Sequence, residues 1–146
     1  MLTPALPSHV EPLATGMREM DRIECGAFGR EPALALERSL AVSLWALTAM
    51  DDEGPVAMLG VASVSMIEGT GSPWMLGSER IYDNARAMVK FGPGIIAAME
   101  RTFPVLHNYV SVANDRSIRF LRHWGWQVSN DEVDIGGVSF VRFANV

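Results

Sequence analysis

The sequence predicts an α/β (α+β) fold in which helices flank a mixed, mostly antiparallel central sheet. Two features of the apolar pattern indicate this class. Apolar residues recur at helical spacing up to Leu40, and they alternate with a period of two over residues 42–66. Helical and strand-like segments then follow one another to the C-terminus, an order typical of this class. A length of 146 residues indicates one domain, residues 1–146.

Two helices are predicted before the first long strand. Ser8, with Glu11 three residues later, matches a capping box, and the apolar stripe after it indicates a helix to about Cys25. Pro32 suits a first helical position, so a second helix should begin there. Residues 2–6 are the only place for a preceding strand, which would lie at a sheet edge because prolines interrupt it.

The middle of the chain predicts a hairpin, a third strand and two helices. Residues 42–66 hold two alternating runs around the turn cluster 51–55, and residues 74–77 form a further short run. A helical stretch should begin at Ser78 or Glu79. Gly92-Pro93-Gly94 should break it before a helix over residues 95–102, because proline lacks the N–H that a helix interior needs.

The C-terminal third predicts a strand, a short helix and a hairpin. Residues 105–113 are β-like, and Asn114 begins a short amphipathic helix. Gly125 should end that helix in the left-handed conformation. Gly136-Gly137 is a hairpin turn signal between two alternating runs.

Composition excludes several classes of protein. A net charge of −5 argues against general binding to nucleic acid. Cys25 is the only cysteine, so no intrachain disulfide is expected and a reducing compartment is the simpler interpretation. No apolar run approaches the ~20 residues that span a membrane, and the N-terminus does not resemble a signal peptide. A cytoplasmic location is therefore expected.

The segment from Asn114 to Trp126 resembles the strand–Asn–helix–Gly–aromatic motif of the GNAT superfamily of N-acetyltransferases. Asn114, Ser117, Gly125 and Trp126 stand at the spacing of that motif. The resemblance implies a sheet with two strands splayed around an acyl-CoA slot, acetyl-CoA as co-substrate, an amine acceptor and no metal. Leu121 occupies the position where many members carry a tyrosine that acts as general acid.

Two loops match the expected pyrophosphate site, and the sequence does not decide between them. The resemblance implies backbone N–H groups at the start of a helix, which attract an anion. One loop contains Gly92 and Gly94, and the other, residues 76–80, directly follows the third strand. Asn114 and the arginine stripe of the short helix (Arg116, Arg119 and Arg122 or His123) add further contacts. The candidate cofactor-binding residues are Leu76, Gly77, Ser78, Arg80, Gly92, Gly94, Asn114, Ser117, Arg116 and Arg119. The arginine stripe can equally be a solvated helix face, and Asn114 can be a helix cap.

Amine acetylation needs a base for the ammonium and an acid for the CoA thiolate. Glu79 and His107 are the candidate bases, both near strand ends. Tyr109, or Tyr82, is the candidate acid in place of Leu121. Holding thioester and amine together can supply ~7–11 kcal/mol, so a missing acid does not exclude the reaction.

A narrower resemblance leads to a second functional hypothesis. Pro73-Trp74-Met75-Leu76, Asn108-Tyr109-Val110 and the helix residues 117–121 are similar to small acetyltransferase-like proteins of short-tailed bacteriophages. Those proteins are associated with internal virion proteins or particle assembly. The alternative to an N-acetyltransferase in the bacterial host cytoplasm is thus a non-catalytic virion or assembly protein, with other phage structural proteins as partners.

Overall fold

A computed structural model describes residues 1–146. Seven strands form one sheet in the order β1-β2-β3-β4-β5-β7-β6. The strands are β1 (Leu2–Pro4), β2 (Ser43–Asp51), β3 (Gly54–Ser65), β4 (Thr70–Gly77), β5 (Val105–Ser111), β6 (Gln127–Ile135) and β7 (Val138–Ala144). All neighbouring strands are antiparallel except β4 and β5. The predicted mixed, mostly antiparallel sheet is confirmed.

Five α-helices and two 3₁₀ helices flank the sheet. The α-helices are α1 (Val10–Thr15), α2 (Glu19–Ala27), α3 (Pro32–Val42), α4 (Ala85–Thr102) and α5 (Asp115–His123). The 3₁₀ helices are Pro7–His9 and Glu79–Asn84. None of the helices is long and apolar enough to cross a membrane.

The N-terminal region partly matches the prediction. The edge strand is confirmed as β1, and α3 begins at Pro32 as expected. The prediction of a single helix over residues 8–25 is wrong. This stretch is divided into α1 and α2 because the segment between them bonds to the end of β4, with Met17 paired to Ser78. Ser8 does not cap a helix either, since it lies inside the 3₁₀ helix Pro7–His9.

The central hairpin is confirmed as β2 and β3, and the third strand β4 begins at Thr70, four residues earlier than predicted. The predicted break at Gly92-Pro93-Gly94 is wrong, because α4 runs through all three residues. Gly92 lets the helix approach Trp124, since a Cβ on Gly92 would lie 2.5 Å from the indole. Burial of one face of α4 thus outweighs the poor helix propensity of glycine and proline.

The C-terminal elements follow the sequence closely. Gly125 has φ of +90° directly after α5, which confirms the left-handed helix end. Gly136 and Gly137 have φ of +59° and +83°, so both occupy the left-handed region that a tight hairpin between β6 and β7 requires.

The apolar core lies on both faces of the sheet. On one face, Leu13, Leu36 and Met58 belong to the cluster that joins α1 and α3 to β3. On the other, Met99 and Phe103 of α4 pack with Leu106 of β5. A separate small cluster around Ile81 lies where β3 begins. This arrangement holds the C-terminal ends of β4 and β5 between α2 on one side and α4 on the other.

Candidate functional site

A slot opens where the parallel strands β4 and β5 diverge. They pair only at Thr70 with Val105 and at Gly71 with Leu106. Beyond these positions each strand has an edge without a neighbouring strand. A cavity of about 310 Å³ lies between the two edges. The predicted divergence of the two strands is confirmed.

Asn108 bridges the slot next to the last paired position. Its Nδ2 donates to the carbonyl oxygen of Pro73 on β4 at 2.7 Å. Its Oδ1 accepts from the N–H of Tyr109 on β5 at 2.8 Å. One side chain thus satisfies a backbone group on each strand edge, and the divergence is stabilised where it begins.

The N–H of Gly77 marks the outer end of β4. Ser78 donates its N–H to Val56 of β3 at 2.9 Å, so the neighbouring Gly77 directs its backbone groups toward the slot. Asp21 Oδ2 accepts from the Gly77 N–H at 2.8 Å, and the Arg18 N–H donates to the Gly77 carbonyl at 2.9 Å. By the same alternation, Met75 directs its N–H and carbonyl into the slot.

Glu24 satisfies the facing edge of β5. Its Oε2 accepts from the N–H of Ser111 at 3.1 Å, and its Oε1 accepts from Asn114 Nδ2 at 2.9 Å. Asp21 and Glu24 stand three residues apart, so they project from one face of α2. Helix α2 therefore covers one side of the slot and places a carboxylate on each strand.

Arg18 crosses the mouth of the slot. Its guanidinium donates to the Tyr82 hydroxyl at 3.0 Å and to Ser117 Oγ at 3.1 Å. Its Nε lies 2.8 Å from Asp21 Oδ2, so the two side chains form an ion pair, although the Nε–H does not point at that oxygen. Arg18 is only 5% exposed, so the ion pair with Asp21 offsets the cost of burying its charge.

Burial changes the acid–base properties of the groups on α2. It raises the pKa of Glu24, and the nearby charge of Asp21 adds to that effect. The pKa of Asp21 is also raised by burial, against the opposing effect of Arg18. Burial raises the pKa of Cys25 to about 11, which leaves its thiol protonated. Glu24 is therefore a carboxylate of increased basicity that faces the slot.

Asn114 is a helix cap and a slot residue at once. Its Oδ1 accepts from the N–H of Ser117 at 3.3 Å, as expected for the cap of α5. Its Nδ2 bonds to Glu24, and the side chain is 3% exposed. The helix cap is therefore confirmed, and contact of Asn114 with a ligand stays a prediction.

The predicted bases lie outside this arrangement. Glu79 is exposed at the start of the 3₁₀ helix. His107 does not line the slot cavity, and burial together with the charge of Arg142 lowers its pKa. Tyr82, Tyr109 and Leu121 all line the slot. Tyr82 and Tyr109 thus bring hydroxyl groups to the slot, whereas Leu121 has none.

One of the two predicted phosphate loops is wrong. Gly92 and Gly94 lie inside α4, where no loop exists. In the second loop, Leu76 and Gly77 belong to β4. Ser78 donates hydrogen bonds from both its N–H and its Oγ hydroxyl to the Val56 carbonyl. Arg80 is bound at the β2–β3 turn, with its guanidinium 2.9 Å from Asp51 Oδ1. The second loop lies between β4 and the 3₁₀ helix Glu79–Asn84, as expected for a loop before a helix, and its role in phosphate binding stays a prediction.

The arginines of α5 remain free of carboxylate partners. Arg116 and Arg119 line an open groove between the start of α4 and α5, together with His123. The Arg116 guanidinium carbon lies 4.1 Å from the centre of the Tyr82 ring, which is a cation–π contact. This groove joins the slot at Tyr82, so its positive charge adjoins the slot mouth.

Sequence reasoning missed Arg18, Asp21, Glu24 and Asn108. The signal for the first three was a helix whose polar residues recur at three-residue intervals on a face that should otherwise be apolar. Asn108 stood within a β-like run, where an amide is uncommon. No group of three or more potential metal-ligating side chains lies together.

The fold is that of GNAT N-acetyltransferases. It resembles a ribosomal-protein-alanine N-acetyltransferase from Brucella melitensis (TM-score 0.66, 16% identity, 100% of this chain and 99% of that chain). An acetyltransferase of the GNAT family from Streptococcus pneumoniae is similar (TM-score 0.64, 11% identity, 99% and 96%). So is spermidine N-acetyltransferase from Vibrio cholerae in complex with CoA and spermine (TM-score 0.62, 10% identity, 99% and 93%). No family model and no curated protein matches the sequence.

Proposed function

We propose that residues 1–146 act as an N-acyltransferase domain that transfers an acyl group from a CoA thioester to an amine. The observation that supports this most is the slot. Strands β4 and β5 part after two paired positions, and Met75 directs its backbone N–H and carbonyl into the opening. A thioester carbonyl bound beside Met75 would receive a hydrogen bond from that N–H as its oxygen gains negative charge.

Glu24 is the proposed general base. An attacking amine must lose a proton as its nitrogen bonds to the acyl carbon and the C–S bond breaks. The Glu24 carboxylate lines the slot, and burial raises its pKa toward the range in which a base works near neutral pH. It replaces Glu79 and His107 in this role, since neither of them lines the slot.

The departing thiolate needs a proton. Tyr82 and Tyr109 both line the slot and carry hydroxyl groups. Tyr82 accepts a hydrogen bond from Arg18 at 3.0 Å, which fixes the position of its hydroxyl group. We assign the acid to one of these two tyrosines, because Leu121 has no proton to give.

The groove between α4 and α5 is the proposed site for the CoA phosphates. Arg116 and Arg119 line it and form no ion pair. Guanidinium groups bind phosphate with paired hydrogen bonds. The phosphate contacts are thus assigned to α5 rather than to either glycine-containing loop.

The acceptor is proposed to be a cationic amine. Glu24 lines the slot and forms no ion pair, whereas Asp21 is paired with Arg18, and the chain carries a net charge of −5. The neighbours named above act on a ribosomal-protein alanine and on spermidine, both of which are amines. A peptide with an N-terminal alanine and a polyamine are therefore the first acceptors to test.

A non-catalytic role in virion assembly is the second candidate. Two observations favour it. The usual acid is absent, because Leu121 occupies its position. Arg18 bonds to Tyr82 and to Ser117 across the slot mouth, so a thioester would have to displace Arg18. In that case the domain would act through its surface on other phage structural proteins.

Amine-dependent release of CoA thiol separates these two candidates. The protein is incubated with acetyl-CoA and each acceptor, and free thiol is followed with time. We expect release that depends on the amine and that falls sharply in Glu24→Gln. Absence of amine-dependent release with every acceptor, in a protein that is folded by circular dichroism, would favour the assembly role.

A further inference from the structure

A second cavity, of about 410 Å³, lies between α4 and the sheet. Its lining is apolar apart from Asn84, whose Nδ2 is already bonded to the carbonyl of Arg80. The cavity separates the cluster around Met99 from the small cluster around Ile81. An apolar lining favours an apolar ligand, because ordered water needs polar partners.

This cavity opens into the slot. Met75, Leu121 and Trp124 line both of them, so they meet beside the position proposed for the thioester carbonyl. From there the α4 cavity extends across the sheet as far as Leu2 and Met50 at the outer strands. A group attached to the carbonyl carbon therefore has a continuous apolar path that leads away from the amine and from the CoA groove.

Ala57 of β3, Ala49 of β2 and Leu2 of β1 lie along this path. Ala57 pairs with Ala49, and Ala49 pairs with Leu2. Three strand spacings separate β4, where the thioester carbonyl is proposed to bind, from β1, so the path is ~14 Å long. An extended chain of single bonds covers ~1.2 Å per bond, so the path matches about 12 bonds. The dimensions fit a straight aliphatic chain.

We propose that this cavity holds the aliphatic chain of the acyl donor, so that the thioester substrate carries a medium-length chain of about 8–12 carbons. The inference rests on the proposed function and specifies its donor. Helix α4, which forms the cavity roof, has Pro93 in its interior, so one helical hydrogen bond is missing there and the roof is easier to displace.

The test is a titration with a series of saturated acyl-CoA thioesters of 2, 6, 10 and 16 carbons. Three of the four tryptophans, Trp74, Trp124 and Trp126, line the cavity, so intrinsic fluorescence reports its occupancy. Each buried CH₂ contributes ~0.8 kcal/mol, which is about a fourfold gain in affinity. Affinity should rise to about 10–12 carbons and then stop rising, because the cavity ends at the outer strands.

Two substitutions at different distances from β4 test how far the acyl chain extends along the path. Ala57→Phe, on β3, lies one strand spacing from β4 and should end the gain after about 4 carbons. Ala49→Phe lies two spacings away and should end it after about 8 carbons. Ala41→Phe, on an exposed position of α3, should leave the whole series unchanged. If Ala57→Phe fails to fold, Ala49→Phe still tests the position dependence.

Each outcome is decisive for one of the two proposals. A chain-length gain that the two variants shorten in order supports the acyl cavity. Binding of acetyl-CoA with no gain for longer chains would overturn the acyl cavity and leave the proposed function standing. Failure of every thioester to bind would overturn both. Binding of free decanoate by a protein that binds acetyl-CoA but not decanoyl-CoA would overturn the assignment to the acyl donor.

Discussion

Glu24 Oε1 accepts a hydrogen bond from Asn114 Nδ2 at 2.9 Å, joining α2 to the start of α5 across ninety positions of sequence. The same carboxylate holds the N–H of Ser111, the last residue of β5. Glu24, the proposed base, thus binds both the edge of β5 and the residue that caps α5. Its substitution is expected to affect chemistry and local order together, and the pH dependence separates these effects.

Glu24→Gln should lower turnover by about 10²–10⁴-fold, the usual contribution of a general base. Burial raises the pKa of Glu24 above its ordinary 4.5, so the wild-type rate should fall as pH decreases through that raised value, where the carboxyl takes up a proton. Glu24→Gln has no such proton and should lose this limb of the pH profile. Glu79→Gln is the control and should retain both rate and profile. Equal losses in the two variants would argue against Glu24.

Asp21→Ala should be strongly destabilising because it leaves the buried Arg18 without a counter-ion. Breaking a buried pair in this way costs about 3–5 kcal/mol. Denaturation in urea would measure the loss. The double variant Arg18→Met with Asp21→Leu should recover most of it, since no unpaired charge remains. An Asp21→Ala protein as stable as the parent would show that Arg18 is not buried as described.

Two alanine substitutions test the path of α4. Gly94 is exposed inside the helix, and no atom lies within 4 Å of the position that a Cβ would take there, so Gly94→Ala should stabilise by about 0.5–1 kcal/mol. Gly92→Ala should lower the melting temperature, because its Cβ would lie 2.5 Å from Trp124. Thermal unfolding of both variants checks this. Destabilisation by Gly94→Ala would mean that Gly92-Pro93-Gly94 is a turn after all.

Arg116→Ala with Arg119→Ala should weaken acyl-CoA binding about 10- to 100-fold, since a hydrogen bond to a charged group contributes ~1.5–3 kcal/mol. Added salt should weaken the wild type more than the double variant, because exposed charges are screened. Arg122→Ala is the matched control, being on the same helix but outside the groove. Equal effects in the control and the double variant would mean that only net charge matters.

The sequence predicted the strands better than the helices. Residues 42–66 and the Gly136-Gly137 hairpin alternate with the strand period, and turn residues marked their ends, so their pairing followed. Helix α4 was divided wrongly because Pro93 carries a strong local signal. The burial of one face of α4 overrides it, and the partners of that face, such as Trp124, are distant in sequence, so no local pattern reveals them.

The site was predicted in position but not in detail. The motif from Asn114 to Trp126 located the slot, and the cap by Asn114 follows from its residue type. The roles of Asp21 and Glu24 depend on how α2 lies across β4 and β5, a packing relationship that spacing within α2 cannot give. The ion pair of Arg80 was not predicted because its partner Asp51, at the end of β2, is distant in sequence.

The central claim is that the slot binds an acyl-CoA thioester, and calorimetric titration with acetyl-CoA tests it most directly. We expect one molecule bound per chain. At 100 times the dissociation constant it should stabilise the fold by ~2.7 kcal/mol, which raises the melting temperature by several degrees. Adenine nucleotide without the pantetheine arm should do much less. No heat of binding and an unchanged melting temperature at millimolar acetyl-CoA would contradict the claim.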